Sequence, residues 1–64
     1  MVKINGKEVD AAGRVLADFL TEEGYELTRI AVERNEDIVP KAQYSSTVLE
    51  DNDVVEVVMF VSGG

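Results

Sequence analysis

The longest apolar run of the chain occupies residues 54–61, and Glu56 is its only charged member. Its β-branched and aromatic side chains are typical of a strand. The residues that follow are Ser62, Gly63 and Gly64. Glycine lacks a side chain and tolerates any backbone conformation, so such an ending can enter a slot too narrow for other residues. The pattern predicts a strand that presents a narrow tail and, with it, the terminal carboxylate.

Two glycines at a chain end also occur without a function. Glycine makes up about 7% of average sequence, so the pair arises by chance in about 0.5% of chains. Terminal residues are also commonly small and polar. The tail alone therefore leaves a functional and an incidental ending open, and the rest of the chain has to decide between them.

Length and composition narrow the class of protein. With 64 residues and 45% hydrophobic content, the chain suffices for one domain with one small core. It has no cysteine and no histidine, which removes disulfides, the usual zinc ligands, thiolate nucleophiles and the commonest general base. Neither a calcium-loop pattern nor a glycine-rich phosphate motif is present. We therefore expect no catalytic residues, no bound cofactor and no metal site.

The formal net charge of −7 disfavours nucleic acid as a partner, because phosphates would repel the chain. The charge suits solubility and a basic protein partner equally well. No apolar run reaches the roughly 20 residues that a membrane span needs, and no export leader is recognisable. We expect a cytoplasmic protein that is a monomer when free and binds no membrane.

The first half of the chain predicts a β-hairpin followed by a helix. Asn5-Gly6 is a strong signal for a type I′ turn within residues 1–9. Apolar residues at helical spacing predict a helix over residues 14–23. Gly24 stands where a left-handed C-terminal cap belongs.

The second half predicts further strands. Ile30 and Val32 alternate with other residues in a third strand, and a short strand at residues 38–39 is confined to a sheet edge by Pro40. Asn52 is expected to adopt a left-handed conformation in the turn before the last strand. A helix between two hairpin-like halves must cover one sheet face, which predicts a two-layer α+β domain.

The residues predicted to form one core are Val2, Ile4, Val15, Leu16, Phe19, Leu20, Ile30, Val32, Leu49, Val55 and Val57, with Tyr44 and Val48 in the core or at its edge and Leu27 folded inward.

Alternation along the last strand separates an inner from an outer face. The inner face is predicted to comprise Val55, Val57, Met59 and Val61. The outer face is predicted to comprise Val54, Glu56, Val58, Phe60 and Ser62. Val58 and Phe60 would then form an exposed apolar patch near the tail, and such patches often mark partner sites. Loops that cover them, or a strand buried on both faces, are the alternatives.

Several segments together resemble a known family, the ubiquitin-like sulfur carriers of thiamine biosynthesis (ThiS-type). They are INGK at 4–7, AVERN at 31–35, IVP at 38–40, STVL at 46–49, DND at 51–53 and FVSGG at 60–64. Two residues depart from the family pattern. Asn52 stands where glycine is common, although asparagine also tolerates positive φ. Ser62 stands where a third glycine often lies.

The resemblance implies a β-grasp fold, with a mixed sheet of four to five strands on one main helix and the last strand parallel to the first. It implies a domain at residues 1–61 and a flexible tail at residues 62–64. An E1-like adenylyltransferase would activate the Gly64 carboxylate with ATP and magnesium. A sulfur-donor enzyme would convert it to a thiocarboxylate, which passes sulfur to thiazole synthase. Val58 and Phe60, the exposed patch predicted above, would bind the activating enzyme.

Three other functions remain open at this point. The small subunit of molybdopterin synthase has the same fold and tail, although such chains are usually longer. A ubiquitin-like protein modifier would form isopeptide bonds with lysines. A plain binding module with an inert tail is the third alternative.

Overall fold

A tight β-hairpin opens the computed structural model, which describes residues 1–60. β1 (Val2–Ile4) pairs antiparallel with β2 (Lys7–Val9), with Val2 opposite Val9 and Ile4 opposite Lys7. Asn5 has φ 50° and Gly6 has φ 83°, the positive values that a type I′ turn requires at both central positions. The predicted hairpin is therefore confirmed.

The helix α1 (Leu16–Glu22) begins later than the predicted range 14–23. Val15 is extended, with φ −72° and ψ 132°, and forms an isolated antiparallel bridge with Val48. The backbone on either side also bonds to residues 47–49 at 2.7–2.8 Å. These bonds satisfy the peptide groups that a longer helix would have used, so a contact with a distant segment sets the start of α1.

The end of α1 agrees with the prediction. Gly24 has φ 90°, and its N–H donates to the Thr21 carbonyl at 3.0 Å. The Tyr25 N–H donates to the Leu20 carbonyl, also at 3.0 Å. This pair of bonds is the Schellman motif, for which a left-handed glycine is the usual residue.

One five-stranded mixed sheet carries the remaining elements, in the order β2-β1-β5-β3-β4. Its other strands are β3 (Ile30–Arg34), β4 (Asp37–Val39) and β5 (Val54–Met59). β5 lies in the centre, parallel to β1 and antiparallel to β3. The parallel pairing of the first and last strands and the edge position of β4 are as expected.

The turns before β4 and β5 use positive backbone angles. Asn35 has φ 53° and Glu36 has φ 73°, which joins β3 to β4 by a second tight turn. Asn52 has φ 72°, as predicted for the turn before β5. Short 3₁₀ turns at Leu27–Arg29 and Lys41–Gln43 complete the connections.

The core lies between α1 and the inner face of the sheet. Of the eleven residues predicted for the core itself, all are buried except Val15, which is half-buried. Tyr44 is buried, and Leu27 packs half-buried against the core. The structure adds Ala11 and Val39.

Two further placements are wrong. Val48 was predicted in the core or at its edge and Met59 on the inner face of the last strand, but both are exposed. Val48 forms the backbone bridge to Val15, and its neighbour Leu49 takes the buried position. Met59 does lie opposite buried Ile30, but it is the last residue of β5 and is 62% exposed.

Candidate docking face and the strand that leads to the tail

Two asparagine side chains extend the hydrogen bonding of β5. The Asn5 Oδ1 accepts the Val57 N–H at 2.8 Å, and its Nδ2 donates to the Val57 carbonyl at 3.2 Å. On the other side of the strand, the Asn35 Oδ1 accepts the Val54 N–H at 2.9 Å. Each side-chain amide takes the place of a backbone peptide group at the point where the hairpin turn leads the main chain away from β5. The strand that leads to the tail is therefore held over most of its length by both neighbours.

Asp53, directly before β5, is a buried carboxylate with three donors around it. Its Oδ2 accepts from Arg34 Nε at 2.8 Å and from the Glu50 N–H at 2.8 Å. Its Oδ1 accepts from Asn35 Nδ2 at 3.0 Å. Burial by itself would raise the pKa of Asp53, but these hydrogen bonds and the guanidinium charge outweigh it and hold the pKa below its ordinary value.

Asp53 was not predicted to be a buried residue. The turn at residues 51–53 was expected, but nothing in the local pattern separates Asp53 from the exposed Asp51. The available signal was Arg34 at the end of β3 followed by Asn35 in the turn, a cation and an amide that could both reach a carboxylate. The consequence is that a polar contact ties the start of β5 to the β3–β4 hairpin.

The outer face of the sheet exposes the predicted apolar pair. Val58 is 57% exposed and Phe60 is 54% exposed. Val58 lies opposite Ala31 of β3, and the Phe60 N–H donates to the Arg29 carbonyl at 2.8 Å. The question whether loops cover these residues is answered, because both side chains face solvent. We call Val58 and Phe60 the outer patch.

Further along the same face lie two acidic side chains and two apolar ones. Glu33 of β3 stands directly opposite Glu56 of β5. Ile38 of β4 lies opposite Glu33, and Val54 is the next residue of β5 with this orientation. All four are exposed. The face is therefore apolar at several positions, with two carboxylates among them.

Residues 61–64, which include the predicted tail, follow the last described residue in the chain. Val61, which was placed in the domain and on the inner face, lies outside the described residues. Ser62, Gly63 and Gly64 lie outside them as well, so their predicted roles stay predictions. The last described contact is the one between Phe60 and Arg29, at the end of the sheet where β3 begins.

Two other kinds of feature, a metal site and a membrane-spanning helix, can be assessed within residues 1–60. No three acidic side chains among them gather into a group that could hold a metal ion. α1 is too short and too polar to cross a membrane, and no other described helix could do so.

A mixed sheet packed on one helix, with the last strand parallel to the first in its centre, is the ubiquitin-like β-grasp fold. The crystal structure of the thiamine biosynthesis protein ThiS from Geobacter metallireducens superposes with a TM-score of 0.77 at 27% identity, covering 98% of this chain and 97% of that one. The model of the ThiS family matches residues 2–64. The chain therefore belongs to the ThiS family.

Two kinds of relative match the chain. The sulfur carrier protein ThiS of Bacillus subtilis is 38% identical over 66 residues and is matched along the whole length of both chains. A thiazole synthase of Paramagnetospirillum magneticum is 40% identical over 62 residues, which cover 95% of this chain. The chain spans only 19% of that thiazole synthase and 20% of a second one, from Magnetococcus marinus.

Proposed function

We propose that this protein is a sulfur carrier in thiamine biosynthesis, which holds sulfur as a thiocarboxylate on Gly64. The observation that carries the proposal is the full-length similarity to sulfur carriers, which extends through Gly63 and Gly64. The same similarity favours this role over a molybdopterin synthase subunit or a protein modifier. On this proposal the protein acts in the cytoplasm as a co-substrate of partner enzymes and is not itself an enzyme.

The chemistry follows from the weakness of a carboxylate as an electrophile. An E1-like adenylyltransferase would join the Gly64 carboxylate to the α-phosphate of ATP, with magnesium, and release pyrophosphate. The terminal sulfur of a persulfide on a sulfur-donor enzyme would then displace AMP, and a thiol would cleave the acyl disulfide to leave the thiocarboxylate. Because the chain has no cysteine, its terminal carboxyl group is the attachment point that this nucleophilic chemistry requires.

The outer patch would dock on the activating enzyme. From Phe60 the four following residues can extend about 13–14 Å, at roughly 3.3–3.6 Å per residue. The sheet can therefore remain outside while Gly64 reaches an enclosed nucleotide. Gly63 would pass through the narrowest part of the channel, where a side chain does not fit.

Thiazole synthase is the proposed acceptor of the sulfur. Support comes from the two thiazole synthases that contain a stretch similar to this whole chain. A carrier domain and an acceptor enzyme joined in one polypeptide meet at high effective concentration. A separate carrier must find the same enzyme by binding, and the outer face is the surface available for it.

The test is the mass of the intact protein after incubation with its adenylating enzyme, ATP, magnesium and a sulfur donor. Replacement of one oxygen by sulfur adds about 16 Da in this acyl activation, and we expect the gain on the C-terminal peptide. Deletion of Gly64 should abolish it, because the reacting group is then displaced from its near-attack position. Gly63→Val should slow it strongly.

The control for both variants is thermal stability. Residues 63 and 64 are not among the residues that form the described core, so Tm should match that of the wild type. A wild-type protein that gains no mass with an enzyme of proven activity, or gains it at another position, would refute the proposal.

A further inference from the structure

The two neighbours of β5 support it over different lengths. β3 pairs with β5 as far as Met59, the last residue of the strand. β1 pairs with β5 only at its start, and the last pair is Ile4 opposite Val55. The hairpin then turns away at Asn5. Among the described residues, the second half of β5 therefore has a paired strand on one side alone.

The Asn5 amide extends the support on the side where β1 ends. Its Oδ1 accepts the Val57 N–H at 2.8 Å, and its Nδ2 donates to the Val57 carbonyl at 3.2 Å. Within residues 1–60 these bonds are the nearest to the tail among those that join the hairpin to β5. Val57 is followed directly by Val58 of the outer patch. One side chain thus fixes the backbone immediately before the patch.

The turn and the amide of Asn5 can be separated by substitution. Asn5 has φ 50°, a conformation that asparagine tolerates and glycine adopts without strain. Gly-Gly is also a favoured pair for a type I′ turn. Replacement of Asn5 by glycine should therefore keep the hairpin and remove only the two bonds to Val57.

We propose that Asn5 is a positioning residue for the delivery of Gly64 to the activating enzyme, which rests on the function proposed above. By holding Val57, its amide keeps Val58 and Phe60 in one arrangement before a partner binds. A surface that is already ordered loses less conformational freedom on binding, which improves affinity without a new contact. Asn5 acts through β5 and not through contact with the enzyme.

Asn35 provides a matched comparison on the same strand. It also has positive φ, at 53°, in a tight turn. Its Oδ1 accepts the Val54 N–H at 2.9 Å, and its Nδ2 donates to Asp53 at 3.0 Å. Asn35 thus holds the start of β5, whereas Asn5 holds the end that leads to the tail. Loss of either amide should lower stability, but only loss of the Asn5 amide should loosen the outer patch.

The first test measures native-state hydrogen exchange by NMR on the free protein. Asn5→Gly should speed exchange of the Val57 N–H about threefold to tenfold relative to the amides of α1, on the scale of the hydrogen bond that it loses. Asn35→Gly should speed exchange of the Val54 N–H instead and leave Val57 at the wild-type rate. Unchanged exchange of Val57 in Asn5→Gly would overturn the proposal.

The second test measures KM and kcat for the carrier with the purified adenylating enzyme, by pyrophosphate release at saturating ATP. Asn5→Gly should raise KM about threefold to tenfold, the scale of ordering one or two side chains on binding. Its kcat should be unchanged, because the bound complex holds Gly64 in the same place. Asn35→Gly should keep the wild-type KM, although it also loses two hydrogen bonds.

A second substitution at the same position guards against an effect of glycine itself. Asn5→Asp also tolerates positive φ and retains an oxygen for the Val57 N–H, but at neutral pH it has no donor for the Val57 carbonyl. It should raise KM in the same direction as Asn5→Gly. Urea titration of all three variants would establish that each is folded under the conditions of the assay.

The same samples separate this inference from the proposed function. Suppose that the wild type gains about 16 Da by acyl activation but both Asn5 variants keep its KM, or Asn35→Gly raises KM equally, or only kcat falls. The positioning role is then wrong and the sulfur carrier stands. If the wild type gains no mass with an active enzyme, both proposals fail. A rise in KM confined to the Asn5 variants, with kcat unchanged, would support the positioning role.

Discussion

The two faces of β5 carry the same amino acid in opposite environments. Val55 and Val57 are 1% and 7% exposed, whereas Val54 and Val58 are 45% and 57% exposed. Burial of a valine stabilises a fold by about 1.5–3 kcal/mol. The inner pair therefore contributes to the fold, and the outer pair gains much less from it. Packing in the core explains the valines on the inner face. The valines on the outer face are explained either by a partner that covers them or by chance in the composition of the chain.

The charges of the two faces sharpen this difference. Every buried side-chain nitrogen and oxygen in residues 1–60 has a hydrogen-bond partner, and buried Asp53 has three. The outer face instead places Glu33 opposite Glu56, and within residues 1–60 neither carboxylate takes part in an ion pair. Among the described residues, the buried polar groups thus have hydrogen-bond partners, whereas this pair of carboxylates has no oppositely charged partner. A surface with both apolar residues and mismatched charges is what we expect of a docking face.

The largest expected effect comes from the same substitution on the two faces. Val57→Asp would place a carboxylate without a partner in the core, which should unfold a domain of this size at neutral pH. Val58→Asp should leave the fold intact, because its side chain reaches water. Circular dichroism and urea titration of both variants would measure this contrast. Similar midpoints for the two would break the distinction between the faces.

Binding provides the second contrast, with the fold unchanged. Phe60→Ala should raise Kd for the adenylating enzyme about 30-fold, the scale of a hot-spot aromatic residue. Val58→Ala should raise it less, by about threefold to tenfold. Calorimetry on both variants would measure these changes without adding charge beside Glu56.

Val48→Ala is the matched control for the binding measurement. Val48 is 48% exposed, similar to Val58, but it lies outside the sheet beside Val15. Its loss should leave Kd unchanged. Equal effects of Val48→Ala and Val58→Ala would mean that general surface hydrophobicity, and not the outer face, governs docking.

The smallest expected effect concerns the polar contact that holds β5 in place. Asp53→Asn should cost about 1–3 kcal/mol of unfolding free energy. Donors surround both carboxylate oxygens, so the amide NH₂ of asparagine would face a donor in either orientation. Asp51→Asn is the control in the same turn. It removes an exposed carboxylate that pairs with the N-terminal amine and should change stability less.

The pH dependence of Asp53 has a defined sign. Its pKa is lower in the folded protein than its ordinary value. Its contribution to stability is therefore fully present above the unfolded pKa, about 3.9, and is lost as pH falls through the folded pKa. Unfolding free energy measured from pH 7 downward should show this loss only below about pH 4 in the wild type. A comparable acid loss in Asp53→Asn would assign it to other carboxylates.

Local signals in the chain predicted much of this fold. The Asn5-Gly6 turn, the glycine cap after α1 and the positive φ of Asn52 each depend on a few adjacent residues. Alternation along residues 54–60 predicted correctly that Val58 and Phe60 are exposed, but it wrongly placed Met59 on the inner face. The start of α1 and the exposure of Val48 were not predictable, because both depend on a bridge between Val15 and a segment more than thirty residues away.

The sequence by itself determined the turns, the helical stripe, the alternation of β5 and, through its resemblance to a family, the ThiS assignment. These depend on residue type and short spacing, which the chain displays directly. Only the tertiary structure decided which side chains share a site. Asp53 meets Arg34 and Asn35, and Glu33 meets Glu56, because β5 lies beside β3. Strand order and register bring distant residues together, and spacing along the chain does not contain that information.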